Sequence, residues 1–249
     1  MKSPTITETA SLPGRIAVVT GASSGIGRAI ACELSKHKVQ LCVAGRDPTA
    51  LAYTAAAVRR HAKVAAFDFD LTVEDGLHPL VQHVRRVGRL DFLIHCAGII
   101  QESTLESARI DDLDLQYKVN VRAPYLLTQR LLPMLIAAKG QIVFLNSTVG
   151  LDVKRANLGQ YAATKHALKA IADSLREELN PRGIRVLSFY LGRTATPMQE
   201  SLFRKAKKPY RPESLMQPRD VASVIVRALM LPPTIELTDV SMRPAAKTY

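Results

Sequence analysis

The amino-acid sequence predicts one α/β domain built on a doubly wound, mostly parallel sheet of about seven strands, with helices on both faces. Short β-branched runs alternate with longer segments of helical period along most of the chain. The strand segments are apolar at nearly every position, which is typical of a sheet covered on both faces. The 249 residues are 47% hydrophobic, and no Gly/Ser-rich or Pro-rich linker divides their middle part.

The predicted elements alternate in the order that right-handed parallel crossovers require. We expect strands at 16–20, 39–44, 63–67, 91–95, 141–146 and 184–190, with a last strand at about 235–242. Helices are predicted at 25–36, 48–61, 73–87, 111–137, 160–180 and 217–230. The two long helices, 111–137 and 160–180, carry apolar positions on more than one face. They are either buried lengthwise on the sheet or form the interface of a homodimer or homotetramer.

The ends and the composition narrow the class of protein. Residues 1–13 are polar and lack the order of a secretory signal, so we expect a flexible leader before a single domain at 14–249. The longest apolar stretch, at 125–138, contains polar residues and a proline, which argues against a membrane span. Three cysteines without metal-like spacing favour reduced thiols, no metal site and a cytoplasmic, soluble protein.

The charge balance leaves several partner classes open. The formal net charge is +12, which is compatible with nucleic acid, an anionic membrane or an acidic substrate. The basic residues are scattered, aromatic residues make up 5%, and no nucleic-acid-binding motif occurs. We therefore expect a small-molecule substrate and no nucleic acid.

A glycine-rich turn joins the first predicted strand to the first predicted helix, which is the context of a dinucleotide-binding motif. Gly21 permits the tight turn, Gly25 lets the backbone approach a pyrophosphate, and Gly27 lets helix and strand pack closely. Free N–H groups at the start of the helix would face the anion. A turn with a purely structural role is the alternative. The motif consists of Thr20, Gly21, Ala22, Ser23, Ser24, Gly25, Ile26 and Gly27.

This turn resembles the TGxxxGxG element of the short-chain dehydrogenase/reductase family, whose fold is Rossmann-like, and the resemblance covers roughly residues 14–200. It implies an oxidoreductase that moves a hydride between a nicotinamide cofactor and a carbonyl or secondary alcohol. Further elements follow in the family's order at Asp70-Leu71, Ala97-Gly98, Asn120, Ser147, the YxxxK pair Tyr161 and Lys165, and Gly192 to Met198. The implied cofactor contacts include Gly21, Ser23, Ser24, Gly25, Ile26, Gly27, Ala97 and Gly98.

The end of the second predicted strand favours NADP(H) over NAD(H). An acidic residue at this point binds the ribose 2′-hydroxyl, whereas an arginine accommodates a 2′-phosphate. Arg46 occupies the position and offers a planar guanidinium. If the register of the second strand is shifted, Asp47 would lie beside the ribose and NAD(H) remains possible. The other alternative is that Arg46 is a solvated turn residue.

After the next predicted strand, the resemblance implies that the Asp70 side chain meets the adenine amino group and that Leu71 supplies a backbone contact. Asp68 is the candidate in the alternate register. A carboxylate that merely caps a helix-like turn is the structural alternative.

Tyr161 and Lys165 are four residues apart on a predicted helix, so their side chains share one face. The resemblance implies that Tyr161 is the general acid for carbonyl reduction and the general base for alcohol oxidation. A phenol of ordinary pKa, near 10, does this poorly at neutral pH, so we expect the Lys165 ammonium to lower the pKa of Tyr161. Lys165 is also expected to hydrogen-bond the nicotinamide ribose.

Two polar residues complete the implied catalytic set. Ser147 follows a predicted strand and would hydrogen-bond the substrate oxygen, with Thr148 as its competitor. Asn120 matches the family asparagine that interrupts a helix, contributes to the cofactor site and holds a water connecting Lys165 to solvent. The alternative for Asn120 is a core amide satisfied by local backbone.

The chain departs from the family pattern at His95-Cys96, where the family usually has two asparagines that tie neighbouring strands together. We expect a cost in strand stability more than in activity, and we expect His95 to be packed or capped. A non-catalytic, cofactor-sensing protein is the competing function from another class.

The loop after the sixth predicted strand is expected to form the far side of the site. Thr194 and Thr196 are placed to contact the nicotinamide carboxamide or the pyrophosphate, and 192–212 is the predicted substrate lid. Arg204, Lys205, Lys207 and Lys208, with Lys154 and Arg155 on the other rim, are either solvated or attract an anionic substrate or acidic carrier.

Overall fold

A computed structural model describes residues 11–246 and contains one seven-stranded parallel sheet, which confirms the predicted fold class. The strands stand in the order β3-β2-β1-β4-β5-β6-β7, so the chain winds outward from β1 in both directions. Their bounds are Ile16–Thr20 (β1), Gln40–Gly45 (β2), Val64–Asp68 (β3), Phe92–His95 (β4), Gln141–Ser147 (β5), Arg185–Leu191 (β6) and Asp239–Met242 (β7).

Eight α-helices of the described chain connect or cover the strands. They are Gly25–Lys36 (α1), Pro48–Arg59 (α2), His78–Val87 (α3), Ile110–Tyr117 (α4), Ala123–Ala138 (α5), Gly159–Leu179 (α6), Pro197–Lys205 (α7) and Pro218–Leu229 (α8). Most bounds lie within two residues of the predicted ones. None of these helices is both long and apolar enough to cross a bilayer.

Three predicted elements differ from the structure. The helix predicted at 111–137 is divided, because a π-helical turn at Lys118–Arg122 separates α4 from α5. The helix predicted at 73–87 starts with a 3-10 turn at Glu74–Leu77. The last strand is only Asp239–Met242, and ahead of it the Arg185 guanidinium donates to the carbonyl of Ile235 at 2.9 Å.

Two separate apolar clusters bury the two faces of the sheet. On one face α1, α2 and α8 pack against alternate strand residues such as Val19, Val43 and Phe189. On the other face α3, α5 and α6 cover residues such as Val18 and Phe144. Residues of both clusters are almost fully excluded from water, so the hydrophobic effect fixes the sheet between its helices.

The ordered domain begins earlier than the predicted boundary at residue 14. Leu12 is 2% exposed and packs in the first apolar cluster, so the end of the predicted leader 1–13 belongs to the core. The rest of that predicted leader, residues 1–10, lies outside the described range.

All seven strands point in the same direction, so their carboxyl ends meet at one edge of the sheet. Ser147 at the end of β5 pairs with Leu191 of β6, and Leu191 pairs with Met242 of β7. Loops that follow these residues therefore converge at the edge where ligands bind in open parallel sheets.

Candidate active site

Two adjoining cavities open at the carboxyl edge of the sheet. The glycine-rich turn lines one of about 490 Å³, which we call the turn cavity. Tyr161 lines the other, of about 530 Å³, which we call the tyrosine cavity. Five residues border both cavities and make them continuous: Ile26, Cys96, Gly98, Thr196 and Met198.

Close packing forces glycine at two positions of the turn. Gly21 has φ +66°, and a Cβ there would lie 2.8 Å from the Cα and N of Ala97. A Cβ at Gly27 would overlap the carbonyl of Gly21. The turn thus brings the start of α1 against β1 and β4, as the predicted roles of Gly21 and Gly27 require.

The first turn of α1 has no side-chain cap. Ser24 is the N-cap residue, but its side chain makes no capping hydrogen bond, and the first turn contains no acidic residue. Its backbone N–H groups and the positive end of the helix dipole therefore remain suited to an anion. Ser23, Ser24, Gly25, Ile26 and Gly27 all line the turn cavity, as predicted.

The second strand ends beside this turn. A Cβ at Gly45 would overlap Ser23 Oγ, and that hydroxyl is buried without a hydrogen-bond partner among the described residues. Arg46 is exposed at the cavity wall and forms no ion pair or side-chain hydrogen bond within residues 11–246. The residues therefore fit a phosphorylated nucleotide: an uncapped helix start, an unpartnered hydroxyl and an arginine without an acidic partner.

Asp70 caps a turn, and its predicted contact with the adenine amino group stays a prediction. It lies two residues after the end of β3 and lines the turn cavity with Leu71. Its Oδ1 accepts a hydrogen bond from the Thr72 N–H at 2.8 Å. This bond lowers the pKa of Asp70, and the positive charge of Arg46 contributes further. One carboxylate oxygen thus caps a turn at the cavity wall.

In the tyrosine cavity the predicted residues Ser147, Tyr161 and Lys165 come together. Lys165 Nζ lies 5.7 Å from the centroid of the Tyr161 ring and donates to the Leu145 carbonyl at 3.2 Å. Ser147 accepts a hydrogen bond from the Val149 N–H at 3.3 Å and interacts with the phenol of Tyr161. Its competitor Thr148 also lines the cavity.

The expected effect of Lys165 on Tyr161 is wrong for this arrangement. Burial raises the pKa of Tyr161 to about 12, and only the Ser147 hydroxyl opposes this shift. Burial also lowers the pKa of Lys165 to about 8. Both shifts have the same cause, since the surrounding protein disfavours the charged form of each group. Lys165 makes its hydrogen bond to the carbonyl of Leu145 on β5.

The buried Lys165 predicts a pH-dependent cost in stability. Its pKa falls from 10.5 to about 8 on folding, so the cost is full below pH 8 and disappears as the pH rises to 10.5. Lys165→Met loses the bond to Leu145 but should raise the free energy of unfolding at pH 7 by about 1–2 kcal/mol. Urea unfolding of the cofactor-free protein at pH 7 and pH 10 measures this gain, which should shrink at the higher pH.

The control is Lys169→Met on the same helix. Lys169 forms a surface ion pair with Asp173 at 2.6 Å, so its removal should bring no gain in stability. A Lys165→Met protein that is less stable at pH 7, or whose gain is the same at pH 10, would contradict the assignment of a buried, weakly basic lysine.

Asn120 lies in the π-helical turn, so the predicted interruption of the helix is present. Its side chain holds the loop after β4: Nδ2 donates to the Ile99 carbonyl at 2.9 Å, and Oδ1 accepts from the Ile99 N–H at 2.9 Å. Nδ2 also donates to Thr164 Oγ1 at 3.1 Å. These contacts match the alternative interpretation of Asn120, in which protein groups satisfy the hydrogen bonds of a core amide. They fix the loop that carries Gly98 beside Lys165.

Sequence reasoning missed a second buried amide. Asn146 Nδ2 donates to the carbonyl of Lys165 at 3.1 Å, and its Oδ1 accepts from the Ser147 N–H at 2.7 Å. A Cβ at Gly150 would lie 2.8 Å from that oxygen and 2.9 Å from the Lys165 carbonyl. Asn146 and Gly150 thus set the spacing between Ser147 and α6. The signal that could have revealed Asn146 is an asparagine at the end of an apolar predicted strand.

Thr20 links the two strands at the departure His95-Cys96. The backbone N–H groups of Cys96 and Ala97 donate to Thr20 Oγ1 at 3.2 and 3.3 Å, which links β4 to β1. His95 is packed as expected: its ring stacks on Phe144 with centroids 5.0 Å apart, and burial lowers its pKa to about 3. The loss of strand stability that we expected from Cys96 stays a prediction.

The two threonines after β6 reach different parts of the site. Thr196 is the N-cap of α7, and a Cβ at Gly25 would lie 3.1 Å from its Cγ2, so it borders the glycine turn. Thr194 is buried in the wall of the tyrosine cavity and donates to the Gly192 carbonyl at 3.3 Å. The predicted lid at 192–212 contains helix α7, whose residues Met198 and Gln199 face the cavity.

The predicted basic rim is partly neutralised. Lys154 pairs with Asp152 at 3.1 Å and Arg155 with Glu102 at 3.0 Å. Sequence reasoning also missed Ser241, within the last strand, and Arg243, directly after it, which both line the tyrosine cavity. Within residues 11–246 no group of three or more metal-ligating side chains is present.

The fold and the two joined cavities define a Rossmann-like protein with a site at the carboxyl edge of its sheet. Residues 15–207 match the short chain dehydrogenase family, and the chain belongs to this family of oxidoreductases. An uncharacterized oxidoreductase from Staphylococcus epidermidis is 32% identical over 234 residues, which cover 92% of this chain and 97% of the relative.

Solved structures agree with this assignment. A metagenomic short-chain oxidoreductase in complex with NADP is 28% identical, with a TM-score of 0.80 over 96% of this chain and 100% of its own. A short chain dehydrogenase from Burkholderia cenocepacia in complex with NADP is 26% identical, with a TM-score of 0.80 over 94% and 98% of the two chains.

Proposed function

We propose that this protein is an NADPH-dependent carbonyl reductase that uses Tyr161 as its general acid. The observation that supports the proposal is that the two cavities are continuous. Ser147, Tyr161 and Lys165 line one of them, and the uncapped glycine turn and Arg46 line the other. A dinucleotide spanning both would have its phosphates at α1 and its reactive end beside the tyrosine.

The cofactor assignment rests on Arg46. Its guanidinium borders the turn cavity without an acidic partner in the described chain, close to Ser23 and Asp70. A planar guanidinium is suited to bind the 2′-phosphate that distinguishes NADP(H) from NAD(H). The two similar oxidoreductases solved with NADP support the same choice. NADP(H), when bound, supplies or accepts the hydride.

The residues of the tyrosine cavity would handle the proton. The Ser147 hydroxyl donates a hydrogen bond to the substrate oxygen and holds it near the phenol of Tyr161. Tyr161 donates its proton to this oxygen as negative charge develops on it. Burial raises the pKa of Tyr161 to about 12, so at neutral pH the phenol holds the proton that it donates in reduction.

Lys165 and Asn120 support this chemistry. The Lys165 ammonium lines the tyrosine cavity beside Gly98, which borders both cavities, and in this proposal it hydrogen-bonds a ribose hydroxyl. Asn120 positions the backbone of Ile99 and Gly98 from the π-helical turn. We assign Asn120 a positioning role and Lys165 a role in binding and orientation.

The assembly and location belong to the same proposal. Large apolar side chains on α4 and α5 remain exposed, among them Ile110, Tyr117 and Tyr125. We propose that helices 111–137 and 160–180 form a homodimer or homotetramer interface of a cytoplasmic enzyme, and light scattering of the purified protein measures the assembly.

Removing the Arg46 side chain tests the cofactor assignment. Arg46→Ala should weaken NADPH binding by about tenfold to a hundredfold, because a hydrogen bond to a charged group contributes about 1.5–3 kcal/mol. NADH binding should change little, since it has no 2′-phosphate. The chain contains no tryptophan, so the fluorescence of NADPH and NADH reports binding directly.

Arg59→Ala is the matched control for this test. Arg59 lies exposed in the last turn of α2, away from the cavity that Arg46 borders. Its removal should leave both dissociation constants unchanged. An unchanged NADPH-to-NADH ratio in Arg46→Ala would assign the 2′-phosphate to another group or the cofactor to NAD(H).

A further inference from the structure

The tyrosine cavity carries a surplus of positive charge. Five basic and two acidic side chains line it. The two carboxylates, Asp152 and Glu102, are both engaged in ion pairs at the rim. The basic side chains that remain without an acidic partner in residues 11–246 are Lys165, Arg193 and Arg243.

Arg193 and Arg243 come from adjacent strand ends next to Ser147. Ser147 is in register with Leu191, and Leu191 with Met242, so Arg193 and Arg243 follow by two residues and one residue. Neighbouring strands lie about 4.8 Å apart, so Arg193 follows the strand next to that of Ser147 and Arg243 follows the strand beyond it, and all three residues line the tyrosine cavity. A Cβ at Gly192 would lie 3.2 Å from the Cα and Cβ of Arg243, so these strand ends touch.

Neither arginine has a role elsewhere in the described structure. The Arg193 guanidinium carbon lies 5.5 Å from the centroid of the Phe203 ring, a contact that orients the group without neutralising it. Arg243 makes no side-chain hydrogen bond within residues 11–246. Both guanidinium groups line the same cavity, so both contribute positive charge to it. A bound anion would be attracted by both charges.

We propose that Arg193 and Arg243 bind a carboxylate on the substrate, so that the enzyme reduces oxo acids. The inference rests on the proposed function, because it assigns the substrate class of the same cavity. A planar guanidinium matches a carboxylate through paired N–H donors. The opposite wall contains apolar side chains such as Ile100, Leu151 and Leu158, which suit a hydrocarbon segment between carboxylate and carbonyl.

A ligand that cannot react tests the anion site without turnover. Hexanoate and hexanamide have the same length, and only the first is charged at neutral pH. Calorimetric titration into the purified protein, with and without NADP⁺, should show hexanoate binding at least about tenfold more tightly. The double variant Arg193→Gln/Arg243→Gln should lose this preference.

Arg86→Gln is the control for net charge. Arg86 is exposed in the last turn of α3, at the opposite edge of the sheet, and should keep the preference for hexanoate. Equal affinity of the native protein for both ligands would overturn the inference, as would a preference that survives in the double variant. A double variant that loses NADPH affinity would assign the arginines to the cofactor instead.

Steady-state kinetics distinguish a failure of the oxo-acid inference from a failure of the proposed function. Acetoacetate and its neutral methyl ester are compared as substrates, with NADPH oxidation followed by absorbance. We expect kcat/KM to favour the acid at least about tenfold in the native protein and to favour neither in the double variant. Reduction of the ester with no preference for the acid would overturn only the oxo-acid inference. If neither compound is reduced, the proposed function fails, and the hexanoate titration still decides the anion site.

Discussion

Tyr161→Phe is expected to lower kcat for carbonyl reduction by at least about a hundredfold. The substitution removes one hydroxyl and keeps the ring that packs beside Lys165. Without it, the phenol that we assign as the proton donor is missing, and the Ser147 hydroxyl keeps only its hydrogen bond to the substrate oxygen. NADPH affinity and the free energy of unfolding should stay close to the native values. Steady-state kinetics, NADPH fluorescence and urea unfolding measure the three quantities.

Tyr117→Phe is the control for this substitution. Tyr117 is 49% exposed at the end of α4 and lines neither cavity. Its loss of a hydroxyl should leave kcat unchanged. If Tyr161→Phe kept near-native turnover, Tyr161 would not be the proton donor, and the mechanism would need another acid.

The second large effect is expected at the glycine turn. Gly21→Ala places a Cβ 2.8 Å from the backbone of Ala97 at a position with φ +66°, so either the turn or the end of β4 must shift. Because the same turn presents the start of α1 to the cofactor phosphates, NADPH binding should weaken about a hundredfold or more. The free energy of unfolding should fall by about 3 kcal/mol, since strain and overlap add.

Gly88→Ala separates the cost of the left-handed backbone from the cost of the overlap with Ala97. Gly88 has φ +81° at the end of α3, and a Cβ there would meet nothing within 4 Å. This variant carries the cost of the left-handed backbone alone, about 1 kcal/mol, and should bind NADPH normally. Equal losses of stability in both variants, with NADPH affinity intact, would show that the approach of Gly21 to Ala97 does not shape the cofactor site.

The sheet and most helices could be predicted because their signals are local. Apolar β-branched runs and helical periodicity depend only on neighbours in the sequence, and the glycine turn has a fixed spacing. The π-helical turn at Lys118–Arg122 could not be predicted from periodicity. One additional residue per turn changes the hydrogen-bond register without changing the residue types. The resemblance to the family, through Asn120, gave the one indication of an interruption there.

The electrostatics of the site depended on contacts that the sequence does not contain. The four-residue spacing put Tyr161 and Lys165 on one face, but burial then raised one pKa and lowered the other. The positive rim expected at Lys154 and Arg155 is paired with acids. Arg243 became part of the site only through the strand order, which places β7 next to β6.

Transfer of deuterium from labelled NADPH to a carbonyl substrate tests the central claim most directly. NADPH carrying deuterium at both C4 positions is incubated with the purified protein and methyl acetoacetate, and the alcohol is analysed by mass spectrometry and NMR. The native protein should place one deuterium on the carbinol carbon, and Tyr161→Phe should do so at least about a hundredfold more slowly. Alcohol without deuterium on that carbon, or no NADPH-dependent alcohol at all, would contradict the account.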